Sequence, residues 1–475
     1  LRIPQSRKDQ HVLTIANQID TIQSIDPDVV DEFRSQLGGQ LLAPGEPAYE
    51  QARQLWNGMI DQRPAIIVQP TGVSDVIHAI LFARENDFEI SIKGGGHNVA
   101  GLATTNGGLM LDLEFMRGVR IDPQRRTARV AGGARWADFD REAGVFGLAT
   151  TGGAISTTGV AGLTLGGGIG WLVGKHGLAI DNLISVDVVT AAGELVTASN
   201  ESHPDLFWAL RGGGGNFGVA TSFEFQLYPL DMVYAGMVAY PPDSARDVLE
   251  FYREFTATAP DELTVYATLT AEPEQGQRIA ALAFCWSGDM DQAEAVLAPL
   301  FAFGSPVMTM AGPMPYAAWN AANDILFPHG LRYYWKSALL RNLDDAVLDA
   351  AARYGANPEL PLLNVTFEHY AGVMNRRDAS ETAFPHRDAR YQAVIIGRWE
   401  DAADDETGKA WARGLHAAIE PYGLKGDFLN FATQEGNERR QRTRAGYGPN
   451  WERLVEIKRR YDPDNVFHRN HNITP

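Results

Sequence analysis

Of the 48 glycines in this 475-residue chain, 27 fall between Gly94 and Gly218. Glycine at that density costs conformational entropy and leaves packing loose. A fold tolerates it where the backbone turns tightly or must come very close to something else. A large bound molecule, filling the room that the missing side chains leave, is the economical explanation. The length exceeds what a single hydrophobic core supports, so roughly two to three lobes of about 150 residues are expected.

Composition narrows the classes further. Apolar residues make up 45% of the chain and charged residues 21%, the mix of a packed globular protein and not of a disordered one. With 59 acidic against 41 basic side chains the net charge is −18, which argues against nucleic acid as a partner. The densest basic run, Arg439, Arg440, Arg442 and Arg444, reads as a solvated helix face. The single cysteine, Cys285, cannot form an internal disulfide or a multi-cysteine metal or iron–sulfur site. No window reaches the roughly 18 consecutive apolar residues of a membrane span, so no membrane partner is expected. The opening LRIPQSRKDQ has no apolar leader core, which favours a cytoplasmic chain; a start at Leu1 implies trimming and keeps secretion or the periplasm open.

Hydrophobic periodicity predicts a helix over 72–87 with Ser74 as its N-cap, then a strand over 89–93 that runs into GGGHN. Strands are expected in GLMLDLE, in TARVA and in VATSFEFQLYPL. A hairpin is expected in DNLISVDVVTAAGELVTAS, turning at Ala192-Gly193, and a helix in HPDLFWALRGG. From about Met232 glycine thins out, and helical stretches such as SARDVLEFYREFTAT alternate with strands RIAALAFCW, PLLNVTFEHY and YQAVIIGRW. The fold class is therefore α+β, with a second lobe made of antiparallel sheet backed by helices. A last helix carries Trp451, Leu454, Val455 and Lys458 along one side and stops at Asp462-Pro463.

Several familiar motifs fail on context. The run from Gly213 to Gly218 satisfies G-x-G-x-x-G, but a helix precedes it and a strand follows, the reverse of a dinucleotide fingerprint. In GIGWLVGKH, Ile169 and His176 stand where a P-loop needs glycine and a hydroxyl. His468 and His471 lack further ligands at zinc spacing, so no metal is expected. The segment KGGGHNVAG (93–101) is different: a strand delivers bare glycine amides able to cradle an anion such as a pyrophosphate, with His97 at the end. A loop histidine bonded to a carbonyl is the plainer alternative.

Four stretches in order, GGGHNVAG, TTGGAISTTGVAGLTLGGGIGWL, LFWALRGGGGNFGV and YGPNWERLVEIKRRYDPDNVFHRNHNI, resemble the berberine bridge enzyme-like FAD-linked oxidases of the vanillyl-alcohol oxidase superfamily, whose FAD-binding domain is of the PCMH type. The resemblance is dense over 65–230 and in the C-terminal stretch. Between them it is confined to TAFPHRDARYQAVIIGRW. It implies an FAD-binding domain split between residues 1–231 and 428–475, with a substrate domain, 232–427, inserted over the isoalloxazine ring. It implies that His97 is joined to the flavin 8α carbon, that Gly94, Gly95, Gly96 and Gly101 form the pyrophosphate loop, and that Asn98 also binds the cofactor. Thr157, Gly159, Gly162, Gly168 and Gly170 match the stretch along the flavin, with Thr158 where oxygen is admitted or excluded. Asn182 and Val219 match positions near the adenosine half, and Asn470 and Asn472 the flavin's polar edge. The family's second linking residue, a cysteine, is Ile155 here, so a single covalent link is expected. A ribityl-contacting histidine is replaced by Leu163.

The implied reaction is hydride transfer to flavin N5 from a hydroxyl-bearing carbon of a bulky metabolite, a secondary alcohol or sugar-type substrate, with O2 reduced to H2O2. Oxidation of an amine C–N bond, a different electron acceptor, and a flavin-holding protein without turnover stay open. Two family acid/base positions are Gln392 and Phe431, neither able to take a proton. The strand NVTFEHY (364–370) supplies candidates instead: alternation places Thr366, Glu368 and Tyr370 on one face and His369 on the other. Glu368, which aligns with an active-site tyrosine of plant relatives, is the leading base, with Tyr370 and Gln392 completing the catalytic group. A surface glutamate at a strand end is the alternative.

Overall fold

The computed structural model describes residues 13–16, 22–272, 276–356, 358–433 and 439–475; the opening decapeptide and the Arg439 side chain lie outside them. Its first layer is a four-stranded sheet of β1 (Gln40–Leu42), β2 (Ile66–Gln69), β3 (Ile90–Lys93) and β4 (Leu109–Asp112), in the order β1-β2-β4-β3. β2, β4 and β3 run parallel, which requires a long crossover, and helix α1 (Val73–Glu85) lies between β2 and β3 in the chain. Ser74 does not cap α1. Gly72 is the N-cap and makes no side-chain bond, and the polar group at this end is the Asp75 carboxylate, which accepts from Thr71 N at 2.9 Å and Gly38 N at 2.8 Å.

A second, wholly antiparallel sheet follows: β5 (Val119–Asp122), β6 (Thr127–Ala131), β7 (Leu183–Val189), β8 (Leu195–Ser199) and β9 (Val219–Gln226), in the order β8-β7-β9-β6-β5. The β7–β8 hairpin turns through Gly193 at φ +78°, as Ala192-Gly193 predicts. α2 (Trp136–Gly144) and α3 (Pro204–Leu210) bury Trp136, Phe139, Phe207 and Trp208 in the core of this lobe.

The second lobe is a seven-stranded antiparallel sheet: β10 (Met232–Tyr240), β11 (Leu263–Ala271), β12 (Arg278–Trp286), β13 (Met308–Pro315), β14 (Arg332–Leu340), β15 (Asn364–His369) and β16 (Tyr391–Trp399). Its order is β13-β10-β12-β11-β15-β16-β14. Alternation assigns its faces. Val265, Ala267, Phe284, Val365, Phe367 and Ile395 form one core with helices α4 (Ala245–Thr256), α6 (Asp345–Ala356) and α7 (Asp405–Ile419). The opposite face, carrying Tyr266, Thr268, Thr366, Glu368 and Val394, looks onto the first lobe. Helix α5 (Tyr316–Asn320) ties the lobes together, Asn320 Nδ2 donating to the buried Asp140 carboxylate of α2 at 2.7 Å.

The expected boundary at 231/232 falls at the start of β10. The inserted domain is not continuous to 427, however. After β15 the chain returns to the first lobe, where Tyr370, Met374, Phe384 and Ala389 join the core of Phe207 and Trp208. There Arg387 grips Asp181 through two bonds of 2.7 and 2.8 Å. The C-terminal segment completes the same core through helix α8 (Trp451–Tyr461), whose buried side includes Leu454, Val455 and Lys458. Lys458 Nζ is wholly buried and donates to Asn216 O (2.7 Å), Asp462 Oδ2 (2.6 Å) and Phe467 O (2.9 Å). Lys458→Met would leave the Asp462 charge buried and unpaired, so urea denaturation is expected to show a loss of about 3–5 kcal/mol. Among the described residues no helix is long and apolar enough to cross a membrane.

Candidate active site

β3 ends at Lys93, whose Nζ is buried against Ala52 O at 2.8 Å and Asp112 Oδ2 at 3.3 Å. The chain then passes through Gly94, Gly95 and Gly96 into His97. A Cβ on Gly95 would stand 2.3 Å from Gly159 N, and a Cβ on Gly159 equally close to Gly95 N. The two loops therefore pack backbone against backbone, which no side chain at either position would allow. That contact delivers Thr157 and Thr158 to the histidine, with Thr157 Oγ1 2.9 Å from His97 Nε2 and Thr158 Oγ1 3.5 Å from Nδ1. Trp56 stacks on His97 at 4.8 Å and on Tyr333 at 3.7 Å. Burial, with smaller contributions from Arg135 and His329, lowers the His97 pKa to about 3, so the imidazole is neutral at neutral pH with a lone pair to offer.

These loops form the floor of a cavity of about 390 Å³ between the lobes. Gly94, Gly95, Gly96, His97, Asn98, Thr158, Gly159, Gly162, Val219 and Asn470, all anticipated from the sequence, line it. The cavity suits a flat, extended cofactor: Gly162 and Gly215 border it with nothing within 4 Å of where a Cβ would sit, so their missing side chains leave room for a ligand.

Other anticipated residues stand behind the wall. Gly101 (φ +74°) packs on Ile60, Gly168 (φ +82°) on Ala179 and Leu163, and Gly170 on the Gly152 backbone. Thr157 reaches the site through His97 alone. Asn182 Nδ2 is spent on the carbonyls of His176 and Leu178, at 3.0 and 2.8 Å. Asn472 follows His471, which does line the cavity. Gly214, Gly215 and Asn216, which are not among the expected site residues, also border the cavity; a polar residue inside a glycine run is the signal for them.

The roof is the free face of the large sheet. Asn364, Thr366 and Glu368 of β15 line it, while His369 points away and is 1% exposed beside Tyr391. Glu368 stands directly opposite Tyr266 on one neighbouring strand and Gln392 on the other. It is no surface residue. Burial raises its pKa to about 7, opposed by a hydrogen bond from the Tyr370 hydroxyl to Oε2 at 2.8 Å. Tyr370 lies one residue beyond the strand and is fully buried, and its hydroxyl also contacts Gln392 Oε1. Of the three residues expected to be catalytic, Glu368 lines the cavity, whereas Tyr370 and Gln392 do not: Tyr370 bonds Glu368 from behind the wall and Gln392 bonds Tyr370. Much of the remaining wall is aromatic and apolar, with Trp171 stacked on Tyr266 at 4.3 Å and Trp335 on Phe431 at 5.9 Å, and Thr268, Thr270, Asn323 and Asn430 set polar groups among them.

Two lobes thus enclose a glycine-floored cleft with a histidine on its floor and a carboxylate on its roof, and comparison with known proteins gives its class as an FAD-dependent oxidoreductase. Residues 64–199 match the model of the FAD binding domain, and residues 427–474 that of berberine and berberine-like proteins. An FAD-linked oxidoreductase of Dictyostelium discoideum is 31% identical over 456 residues, 94% of this chain and 97% of the relative. The (R)-6-hydroxynicotine oxidase of Paenarthrobacter nicotinovorans is 31% identical over 462 residues, 92% of this chain and 97% of that protein. The crystal structure of 6-hydroxy-D-nicotine oxidase from Arthrobacter nicotinovorans superimposes with a TM-score of 0.82 at 29% identity, covering 92% of this chain and 98% of the other. The chain belongs to the berberine bridge enzyme-like family of FAD-linked oxidoreductases.

Proposed function

We propose that the protein is an FAD-dependent oxidase that takes a hydride from a hydroxyl-bearing carbon of a bulky, largely apolar metabolite, leaving a carbonyl and reducing O2 to H2O2. The observation that carries this reading is Glu368, the one carboxylate lining the cavity among the described residues, with a pKa near 7. When bound, FAD supplies the two-electron acceptor that the side chains lack. Glu368 takes the hydroxyl proton as the C–H bond breaks, and the Tyr370 hydroxyl holds its second oxygen in place. Trp171, Tyr266 and Trp335 fix the substrate by apolar contact and exclude water, which suits a flat hydrocarbon frame better than a polyhydroxylated sugar. A single covalent bond from His97 to the flavin is part of the proposal: its ring is neutral, and Ile155, which lines the cavity, has no thiol for a second link.

A second reading, oxidation of a C–N bond, is favoured by the relative acting on 6-hydroxynicotine, an amine, and by an aromatic wall that can face a cationic substrate. Anaerobic mixing with a panel of alcohols and amines tests both. Bleaching by alcohols alone is the expected result, bleaching by amines alone would transfer the assignment, and no bleaching by any compound would indicate a protein that holds flavin without turnover. As to the acceptor, Thr158 and Gly159 put small groups on the wall beside His97. Reduced protein mixed with aerated buffer in stopped flow is expected to reoxidise faster than free reduced flavin. A rate no faster would point to an acceptor other than oxygen.

A further inference from the structure

We propose that Arg469 supplies the positive charge that holds the diphosphate of FAD, and so sets a preference for FAD over flavins without that group. Among the described residues lining the cavity it is the only lysine or arginine. It shares the cavity wall with Ile90, Leu102, Ala103 and Phe467, residues of the first lobe and the C-terminal segment, while Glu368 belongs to the wall made by the large sheet. In a chain of net charge −18, an anionic ligand needs a local cation.

The surroundings of Arg469 hold the guanidinium and neutralise it only in part. Its Nη2 donates to Thr104 O at 2.7 Å and to Gln62 Oε1 at 2.9 Å, two neutral acceptors. Among the described residues Nη1 has no acceptor. The adjacent carboxylate, Glu89, lies 3.9 Å from Nε but is engaged more closely by His468 Nε2 at 3.2 Å and by the Thr105 hydroxyl. The bond to Glu89 raises the His468 pKa. For Glu89, burial acts upward, but the bonds from His468 and Thr105, with the charges of Arg469 and His468, prevail and lower it. Glu89 is thus shared among His468, Thr105 and Arg469, and its approach to Arg469 is at Nε. Thr104 follows the glycine loop closely, so the same contact ties Arg469 to the segment that begins with Gly94.

The plain alternative is that Arg469 only fastens the C-terminal segment to that loop. The inference rests on FAD occupying the cavity and not on the substrate proposed above. It is tested on the full chain in a His97→Ala background, which keeps flavin exchangeable, by titrating FAD and riboflavin by fluorescence and using ADP as competitor. Arg469→Gln is expected to weaken FAD and ADP by about 10- to 100-fold, the range of a charge-assisted hydrogen bond, and to leave riboflavin unchanged. Arg469→Lys, which keeps the charge and loses the fork, should fall between and carries the test if Arg469→Gln does not fold. Equal loss for FAD and riboflavin with a lower melting temperature would make the residue structural and overturn the proposal, as would unchanged FAD affinity in both variants. If ADP fails to compete even with Arg469 present, the cavity does not hold a diphosphate there, which also overturns it.

Discussion

Denatured in acid and run on a gel, the protein is expected to fluoresce as one flavin-labelled band, and His97→Ala is expected to abolish that fluorescence entirely. A covalent bond survives unfolding, whereas flavin held by contacts does not, so the effect is all or none. The chemistry rests on three features of the site. The imidazole is neutral, because burial holds its pKa near 3 and the nucleophile needs a free ring nitrogen. It is oriented by Thr157 on Nε2 and by the Trp56 stack. It also stands on the floor that the Gly95–Gly159 contact builds. Because that contact is between backbones, His97→Ala should leave the fold largely intact and able to bind flavin reversibly. Complete release of flavin from the unaltered protein on denaturation would show that no bond forms.

Why some of this was legible in the sequence and some was not follows from what each signal encodes. The strand NVTFEHY announced its two faces because a period of two is a property of the chain alone, and the cavity-lining face proved to be the one carrying Thr366 and Glu368. Glycine runs marked places where backbones come very close, but a sequence does not say what comes close. At Gly162 it is open cavity, and at Gly168 and Gly170 it is protein. Asn182 and Tyr370 show the same limit for polar groups, one closing a turn and the other holding a carboxylate from behind. Lys458 sits on the apolar side of its helix, where a charge looks out of place until Asp462 and Phe467, just past the helix end, and Asn216 of the first lobe surround it. Arg469 is harder still, since its environment is assembled from Gln62, Glu89 and Thr104. The return of residues after β15 to the first lobe is a matter of long-range packing: nothing in the alternation of NVTFEHY or YQAVIIGRW says that the stretch between them joins the core of Phe207 and Trp208.

Glu368→Gln is expected to slow anaerobic flavin reduction by about 10² to 10⁴, the usual worth of a general base, with the flavin spectrum and the covalent band unchanged. The substitution preserves shape and can still accept from Tyr370, so the loss isolates the proton-accepting function. A base works only when ionised. With its pKa near 7, the unaltered protein should reduce its flavin at a rate that falls about tenfold per pH unit below 7 and levels off above it. Tyr370→Phe supplies an independent check on direction. The Tyr370 hydroxyl lowers the Glu368 pKa, so its removal should shift the rising limb to higher pH and leave substrate binding nearly unaltered. If Glu368→Gln reduces at the original rate with the same pH dependence, Glu368 is not the base. Tyr370 then becomes the next candidate, and if its removal is silent as well, the amine reading gains, because a neutral amine can surrender a hydride without any protein base.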